Sequence, residues 1–449
     1  MTDPIRPSQP PAPPVSLATP VPATGAAAPP RVCEVSSRPT TQRAVRDGAV
    51  IAVAMGIMNL TTYGFVIVAA RLLGPAEYGA LAAVMGLLLV VNVLSLGLQA
   101  TAARRVSAVP EDLPQIEREV MATSWFAALA LGAIALVATP LVTATLNLDS
   151  WGAAALIAVT AVPLSVMGGQ AGLLQGERRW APLAGIYLAV GLGRIGFGVL
   201  ALLVEPNTFG AMVGVTLGAV VPVIIGWAAL RHPDRKAAAA EVTTRPVPRW
   251  APGGVLRETL TNSHALLAFF ALSNADVIIA RSTLPEHQAG LYAGGLILAK
   301  AVLFLPQFVV VIAFPSMSRS DAGRHLHLLS LVAVLVIGAV TTVAVAMLSS
   351  LAVVFIGGPE YAELQDRLWA FACLGTLLAM IQLMVYNVVA RRRQRTVVLI
   401  WAAMVALLAV APTLGSMNAL LAVVLAVDLV LFLLLLARSL TRSYVRPTG

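Results

Sequence analysis

The sequence has two cysteines in 449 residues, Cys33 in a polar stretch and Cys373 in an apolar run, so no disulfide framework can staple it. Charge is as sparse: Asp, Glu, Lys and Arg together make up 11% of the chain, where a soluble domain carries roughly 25%. The motifs of hydrolytic, nucleotide-binding and metal chemistry are missing too, with no GxSxG, HExxH, Walker sequence or His/Cys cluster. No catalytic residue, cofactor or metal ligand is therefore assigned, and an enzyme is not expected. The net charge of +9 is almost all arginine, and those arginines lie between apolar segments rather than on one polar face. A nucleic-acid partner is excluded on that ground.

What the chain has instead is hydrophobic sequence, 58% of it. Twelve apolar runs are each long enough to cross a hydrocarbon core of about 30 Å. Their approximate limits are 48–70, 78–103, 120–145, 151–174, 181–204, 208–230, 256–280, 289–316, 328–356, 368–390, 396–414 and 419–437. Of the 30 Lys and Arg residues, 25 fall on one side, among them Arg104, Arg105, Arg178, Arg179 and the Arg391–Arg395 cluster. Arg71, Arg281 and Arg367 fall on the other, while Arg194 and Lys300 lie within spans. The positive-inside rule then predicts that both termini are cytoplasmic. The expectation is an all-α polytopic membrane protein in two six-helix lobes: 43–230 and 256–437, joined by a basic cytoplasmic linker at 231–255. Residues 1–42, rich in Pro and Ala, form an expected disordered cytoplasmic tail, and 438–449 form a second tail.

The two halves echo each other. VIVAARLLGPAEYGALAA (66–83) aligns with DVIIARSTLPEHQAGLYA (276–293) with one inserted residue, matching Arg71 to Arg281, Pro75 to Pro285 and Gly79 to Gly290. Six spans per half give both copies the same orientation, so the repeat predicts a pseudo-twofold along the membrane normal, with a substrate site between the lobes. None of the expected outward loops exceeds about a dozen residues. That disfavours a glycan polymerase or ligase, whose chemistry needs an extracytoplasmic scaffold.

Polar side chains concentrate on spans one, two, seven and eight, as a wet cavity between lobes requires. The candidates are Asn59 and Tyr63 in the first span, Asn92 and Gln99 in the second, Asn274 and Asp276 in the seventh, and Lys300 and Gln307 in the eighth. Pro306 is the expected hinge, since it frees a backbone carbonyl and kinks its helix. A charge inside an apolar span is costly, about 2.5 kcal/mol or more when it faces lipid, so Asp276 and Lys300 call for a role or a partner. The plain reading pairs Lys300 or Arg194 with Asp276 or Asp428 as structural ion pairs. The functional reading gives Asp276 an ion-coupling role and Lys300 and Arg194 contact with an anionic substrate. His264 reads as a packed histidine, and Arg71 and Arg281 as anchors of helix ends at the interface.

ARLLGPAEYGALA (70–82), NADVIIARSTLPEHQAGLYA (274–293), FPSMSR (314–319) and FIGGPEYAE (355–363), taken with the span count, resemble a bacterial polysaccharide or oligosaccharide flippase of the multidrug/oligosaccharidyl-lipid/polysaccharide exporter superfamily. The resemblance covers 45–440. It implies alternating access and a cationic cavity, here Lys300 and Arg194, that receives an undecaprenyl-pyrophosphate-linked glycan at the bacterial plasma membrane. Membrane lipids, a proton or sodium as coupling ion, and glycan polymerase and glycosyltransferase partners follow from it. The competing expectation is an ion-coupled exporter of small organic cations, the drug-efflux branch; a non-transporting scaffold is a further one.

Overall fold

The computed structural model describes residues 41–231, 254–317, 323–390 and 397–441. The 1–40 part of the expected tail, the 231–255 linker from 232 to 253, the 391–395 arginine cluster and the last eight residues lie outside the described residues. Everything below concerns the compact unit that starts at Val45.

Helices make up nearly all of the described chain, with no strand among the described residues. α1 (Thr41–Ala108) carries the first two spans, α2 (Leu113–Val137) and α3 (Thr139–Thr145) together make the third, and α4 (Trp151–Gly176), α5 (Trp180–Val204) and α6 (Thr208–Leu230) complete the first half. The second half repeats the scheme. α7 (Gly254–Thr283) and α8 (Glu286–Met317) are followed by a broken pair, α9 (Gly323–Met347) and α10 (Ser349–Ile356), then α11 (Leu368–Ala390), α12 (Val397–Val410) and α13 (Met417–Thr441). Nine segments among the described residues are long and apolar enough to cross a membrane, and the first of them, Gly48–Ala108, spans the helix break at Gly74. With α8 and the shorter apolar α12, the element order reproduces the twelve expected spans.

Local chemistry sets the breaks. Gly74 sits at φ 69° and ψ 176° directly before Pro75, a conformation that L side chains resist and that separates two helices within α1. Pro140 starts α3, where a missing N–H costs nothing. Ser150 and Asn207 cap α4 and α6, their side-chain oxygens accepting from Gly152 N–H at 3.1 Å and Gly210 N–H at 2.8 Å.

Packing follows the repeat. α2, α4, α5 and α6 assemble around one another in the first half, and α8, α9, α11 and α13 in the second. Between the halves, the matched glycines meet: a Cβ on Gly79 would lie 2.9 Å from the Cα and N of Gly290, and one on Gly290 would overlap the Pro75 carbonyl. Residues related by a twofold touch each other only on its axis, so this contact locates the axis at the turn end of the lobes. Down the same seam, Gly86 faces Asn274 and Val277, and Gly97 faces Thr259 and Ser263. Small residues here let the second span lie close against α7.

Gly290→Ala is expected to cost about 1–3 kcal/mol through overpacking at the axis. Gly48→Ala, where nothing lies within 4 Å, is expected to be neutral or slightly stabilising. Thermal unfolding of the two variants in detergent checks the contrast.

Candidate functional site

Two groups of polar contacts cross or adjoin the seam. The first is at the turn end, where each repeat copy offers its arginine to the other half. Arg71 donates to Val354 O in α10 at 2.6 Å. Its counterpart Arg281 donates to Leu146 O and Asn147 O, both at 2.9 Å, just past α3, and to Ala76 O at 3.4 Å. Thus each arginine captures backbone carbonyls at the end of the short helix that closes the other half's third span. Tyr361 joins them by donating to Ala70 O at 3.3 Å. Both arginines were expected as interfacial anchors; Arg71 is exposed, whereas Arg281 is 4% exposed and is held inside the protein. Its guanidinium offers five donors in a rigid fork, and the carbonyls of Leu146, Asn147 and Ala76 together with Glu286 at 3.0 Å occupy that fork.

The second group lies deeper, on α7, α8 and α13. Asn274 is buried in the seam; its Nδ2 donates to Phe270 O at 2.8 Å and its Oδ1 accepts from Lys300 Nζ at 3.0 Å. Two residues on, Asp276 points away from Asn274, into the second half, as a 200° step on a helix requires. Its Oδ2 accepts from Tyr292 Oη at 3.1 Å and its Oδ1 from Val277 N–H at 2.8 Å. Tyr292 is held in place by an edge-on contact with Phe371, centroids 5.4 Å apart. α13, which carries Asp428, packs against α7 and α8. Asp276 and Asp428 are 2% and 3% exposed, while Lys300 keeps partial exposure. Lys300 and Asp276 are not within ion-pair distance; the lysine is tethered through Asn274 instead.

The remaining candidates separate. Gln99 is turned into the first half, donating to Gln175 Oε1 at 2.9 Å and Tyr187 Oη at 2.8 Å. Asn92 leaves its Oδ1 buried without a partner. Tyr63 lines an apolar groove with Leu298, Ala301, Val345 and Phe355, of which Ala301 follows Lys300 in the sequence. Asn59 is half-buried on the first span. Arg194 lies beside Gly191 and Gly198, the glycines of α5 that pack against Met58, Thr61 and Phe65 of the first span; it has no ion-pair partner among the described residues. The expected Arg194–Asp428 ion pair is not formed among the described residues. The side chains of Pro306 and Gln307 lie outside the described residues, and α8 continues through both. His264 accepts from Trp401 Nε1 at 3.1 Å and stacks on that ring, as a packed histidine does. Sequence reasoning set Asp428 apart from the cavity; only the fold brings its helix against α7 and α8.

With the geometry in hand, comparison places the chain among known proteins. A family model described as polysaccharide biosynthesis protein matches residues 44–321. No curated protein sequence matches. Among solved structures, the multidrug transporter DinF-BH in complex with R6G aligns with a TM-score of 0.63 at 11% identity, covering 90% of this chain and 96% of that one. An inward-facing multidrug resistance MATE family transporter of the MOP superfamily gives 0.61 at 14% identity, covering 89% and 100%. A MOP superfamily transporter from Pyrococcus furiosus, whose description reports a reversed polarity of the binding pocket, gives 0.56 at 12% identity, covering 88% and 95%. At these identities the likeness establishes the twelve-helix, two-lobe fold.

Replacing Arg281 by Met is expected to leave the buried Leu146 carbonyl unpaired, at about 1–3 kcal/mol. Arg71→Met removes one contact of an exposed side chain and is expected to cost about 1 kcal/mol or less. Unfolding midpoints in detergent separate the two.

Proposed function

The chain belongs to the family of polysaccharide biosynthesis proteins, and on that premise we propose that it is a flippase of the bacterial plasma membrane. It moves an undecaprenyl-pyrophosphate-linked oligosaccharide from the inner to the outer leaflet for surface polysaccharide assembly. The observation that carries this reading is Lys300: a half-buried lysine on α8, next to the inter-lobe seam, its ammonium held by a neutral amide and in no direct ion pair among the described residues. Such a group is free to take a phosphate, and a charge-assisted bond of this kind contributes about 1.5–3 kcal/mol. Arg194, also without an ion-pair partner, is the matching cation of the first half. Tyr63, Asn59, Asn92 and Asn274 supply hydrogen bonds for sugars, and Gln99 and Gln307 extend the same stripe.

Ion coupling is supported by charge balance. With every group ionised, the spans of the second half carry two buried carboxylates, Asp276 and Asp428, and one ammonium, Lys300, which is a net negative charge inside apolar packing. That excess is too costly to leave bare, so a proton or sodium ion neutralises it in one state of the cycle. Rocking of the two lobes then presents the site to each side in turn. In this cycle the Arg71 and Arg281 contacts close the outer end and are broken for release, both termini stay in the cytoplasm, and glycosyltransferases and a polymerase act before and after transport.

The same acidic excess favours a second reading, export of small organic cations. The two differ in their dependence on Lys300, since a cation gains from losing it and a pyrophosphate does not. Complementation of a strain lacking the gene distinguishes them. Lys300→Ala and Asp276→Asn, each inserted at normal levels, are expected to cut surface glycan at least about tenfold, the equivalent of one lost charge-assisted bond. Full restoration of surface glycan by both variants contradicts the flippase reading.

A further inference from the structure

Resting on the reading above, we propose that Arg104 and Arg105 form an entry site for the pyrophosphate group at the end of the seam remote from the turns, and that Glu258 latches the lobes shut there by occupying it. Both arginines close the second span of the first half, whereas Glu258 stands one turn into α7 of the second. Its two carboxylate oxygens are held separately: Arg104 Nη2 donates to Oε1, and Arg105 Nε donates to Oε2 at 3.2 Å. Arg105 is buried and also donates from Nη1 to Glu119 Oε2 at 3.5 Å, within its own half. Glu119 is fixed in turn by Gln115 Nε2, which donates to its other oxygen at 3.1 Å. Glu258 is the member of this cluster that crosses the seam.

The seam is closed at its two ends by different chemistry. At the turn end, what Arg71 and Arg281 hold across it are neutral backbone carbonyls. At the opposite end the partner is a carboxylate, an anion bridging two guanidinium groups as a phosphate does. A pyrophosphate carries more charge and more acceptor oxygens than Glu258, so it takes the carboxylate's place on arginines already turned toward the seam. Alternating access requires this end to open in one state, and the contacts of Glu258 must break for it to do so. Release is feasible on both sides of the latch: Arg104 is exposed, where an ion pair contributes little, and Arg105 keeps Glu119, so its buried charge is not left bare. Next to the latch Gly97 lies against Thr259 and Ser263, so a change at Glu258 passes directly to the packed part of the seam. The repeat marks the carboxylate as an addition. Continuing the alignment of Val66 with Asp276 back toward the start of each half sets Gly48 opposite Glu258, a position with no side chain in the first half. An empty carrier is thereby held shut at this end, and a pyrophosphate shifts the population toward the open form.

The test uses the full-length protein in detergent, with farnesyl pyrophosphate, inorganic pyrophosphate and farnesol as probes. Spin labels on Ser107→Cys and Thr261→Cys, exposed positions of α1 and α7, are introduced in a chain carrying Cys33→Ser and Cys373→Ser. Their separation is read by pulsed electron paramagnetic resonance, and calorimetry of the unlabelled protein gives dissociation constants. Farnesyl pyrophosphate is expected to lengthen the separation and farnesol to leave it unchanged. Lengthening by inorganic pyrophosphate as well assigns the effect to the pyrophosphate alone, and its absence assigns it to a lipid head group; both support the latch. Glu258→Gln is expected to show the longer separation without any probe and to bind farnesyl pyrophosphate at least about fivefold more tightly. Should that variant fail to fold, Arg104→Gln, a change at an exposed side chain, is expected to lengthen the separation without probe while weakening probe binding. Wild type that binds farnesyl pyrophosphate, with separation and affinity both unchanged in Glu258→Gln or in Arg104→Gln, overturns the latch and leaves the substrate reading standing, as does lengthening by farnesol. Absence of farnesyl pyrophosphate binding to wild type overturns both.

Discussion

The meeting of Gly79 and Gly290 is the constraint from which the rest of the architecture follows. Two backbones approach closely enough there that neither residue has room for a Cβ. Because the two glycines are equivalent positions of a repeat, their contact fixes the pseudo-twofold and brings the two turns together. That proximity puts Arg71 within reach of Val354 and Arg281 within reach of Leu146 and Asn147. It also lets the second span run along α7 past Gly86 and Gly97. A larger residue at the axis pushes both arginines off their carbonyls at once, so architecture and closure of this end depend on the same few atoms.

Symmetry in the backbone contrasts with asymmetry in charge. Both halves keep the turn, the arginine and the broken third span, but Asp276, Lys300 and Asp428 all belong to the second half. Their positions opposite Val66 and Leu89 in the first half show that charge is not required to build this frame. Buried ionisable groups are expensive, and the first half builds the matching hairpin without one.

Much of the fold was legible because bilayer physics leaves few choices. Twelve apolar runs and the Gly-Pro turn each had one structural meaning, and the helices fall near the expected limits, with the third and ninth runs each broken into two helices. The site was less legible. Arg281 at the end of a span reads as an interfacial anchor, since snorkelling is what such arginines do; its burial depends on carbonyls of the other half, which no local pattern reveals. Asp428 lies far from Asp276 in sequence, on a helix with no matching polar stripe, and only the fold packs α13 against α7 and α8. Gln99 shared the face expected of a cavity residue, yet Gln175 and Tyr187 offered it closer partners within its own half. Periodicity tells which side of a helix is polar, and the neighbouring helices decide whether that side meets water, substrate or another amide.

Lys300 joins these themes, being half-buried at the seam and tied to a residue that touches the other lobe. The most direct test of the central claim is transport itself. Purified protein is reconstituted into liposomes containing a fluorescent undecaprenyl-pyrophosphate-linked oligosaccharide, and an imposed proton or sodium gradient is applied while a glycosidase outside the vesicles reports the sugar that becomes accessible. Gradient-dependent exposure of the glycan, lost in Lys300→Met, is the expected result. No exposure above protein-free liposomes, together with gradient-driven uptake of an organic cation dye, would contradict the account.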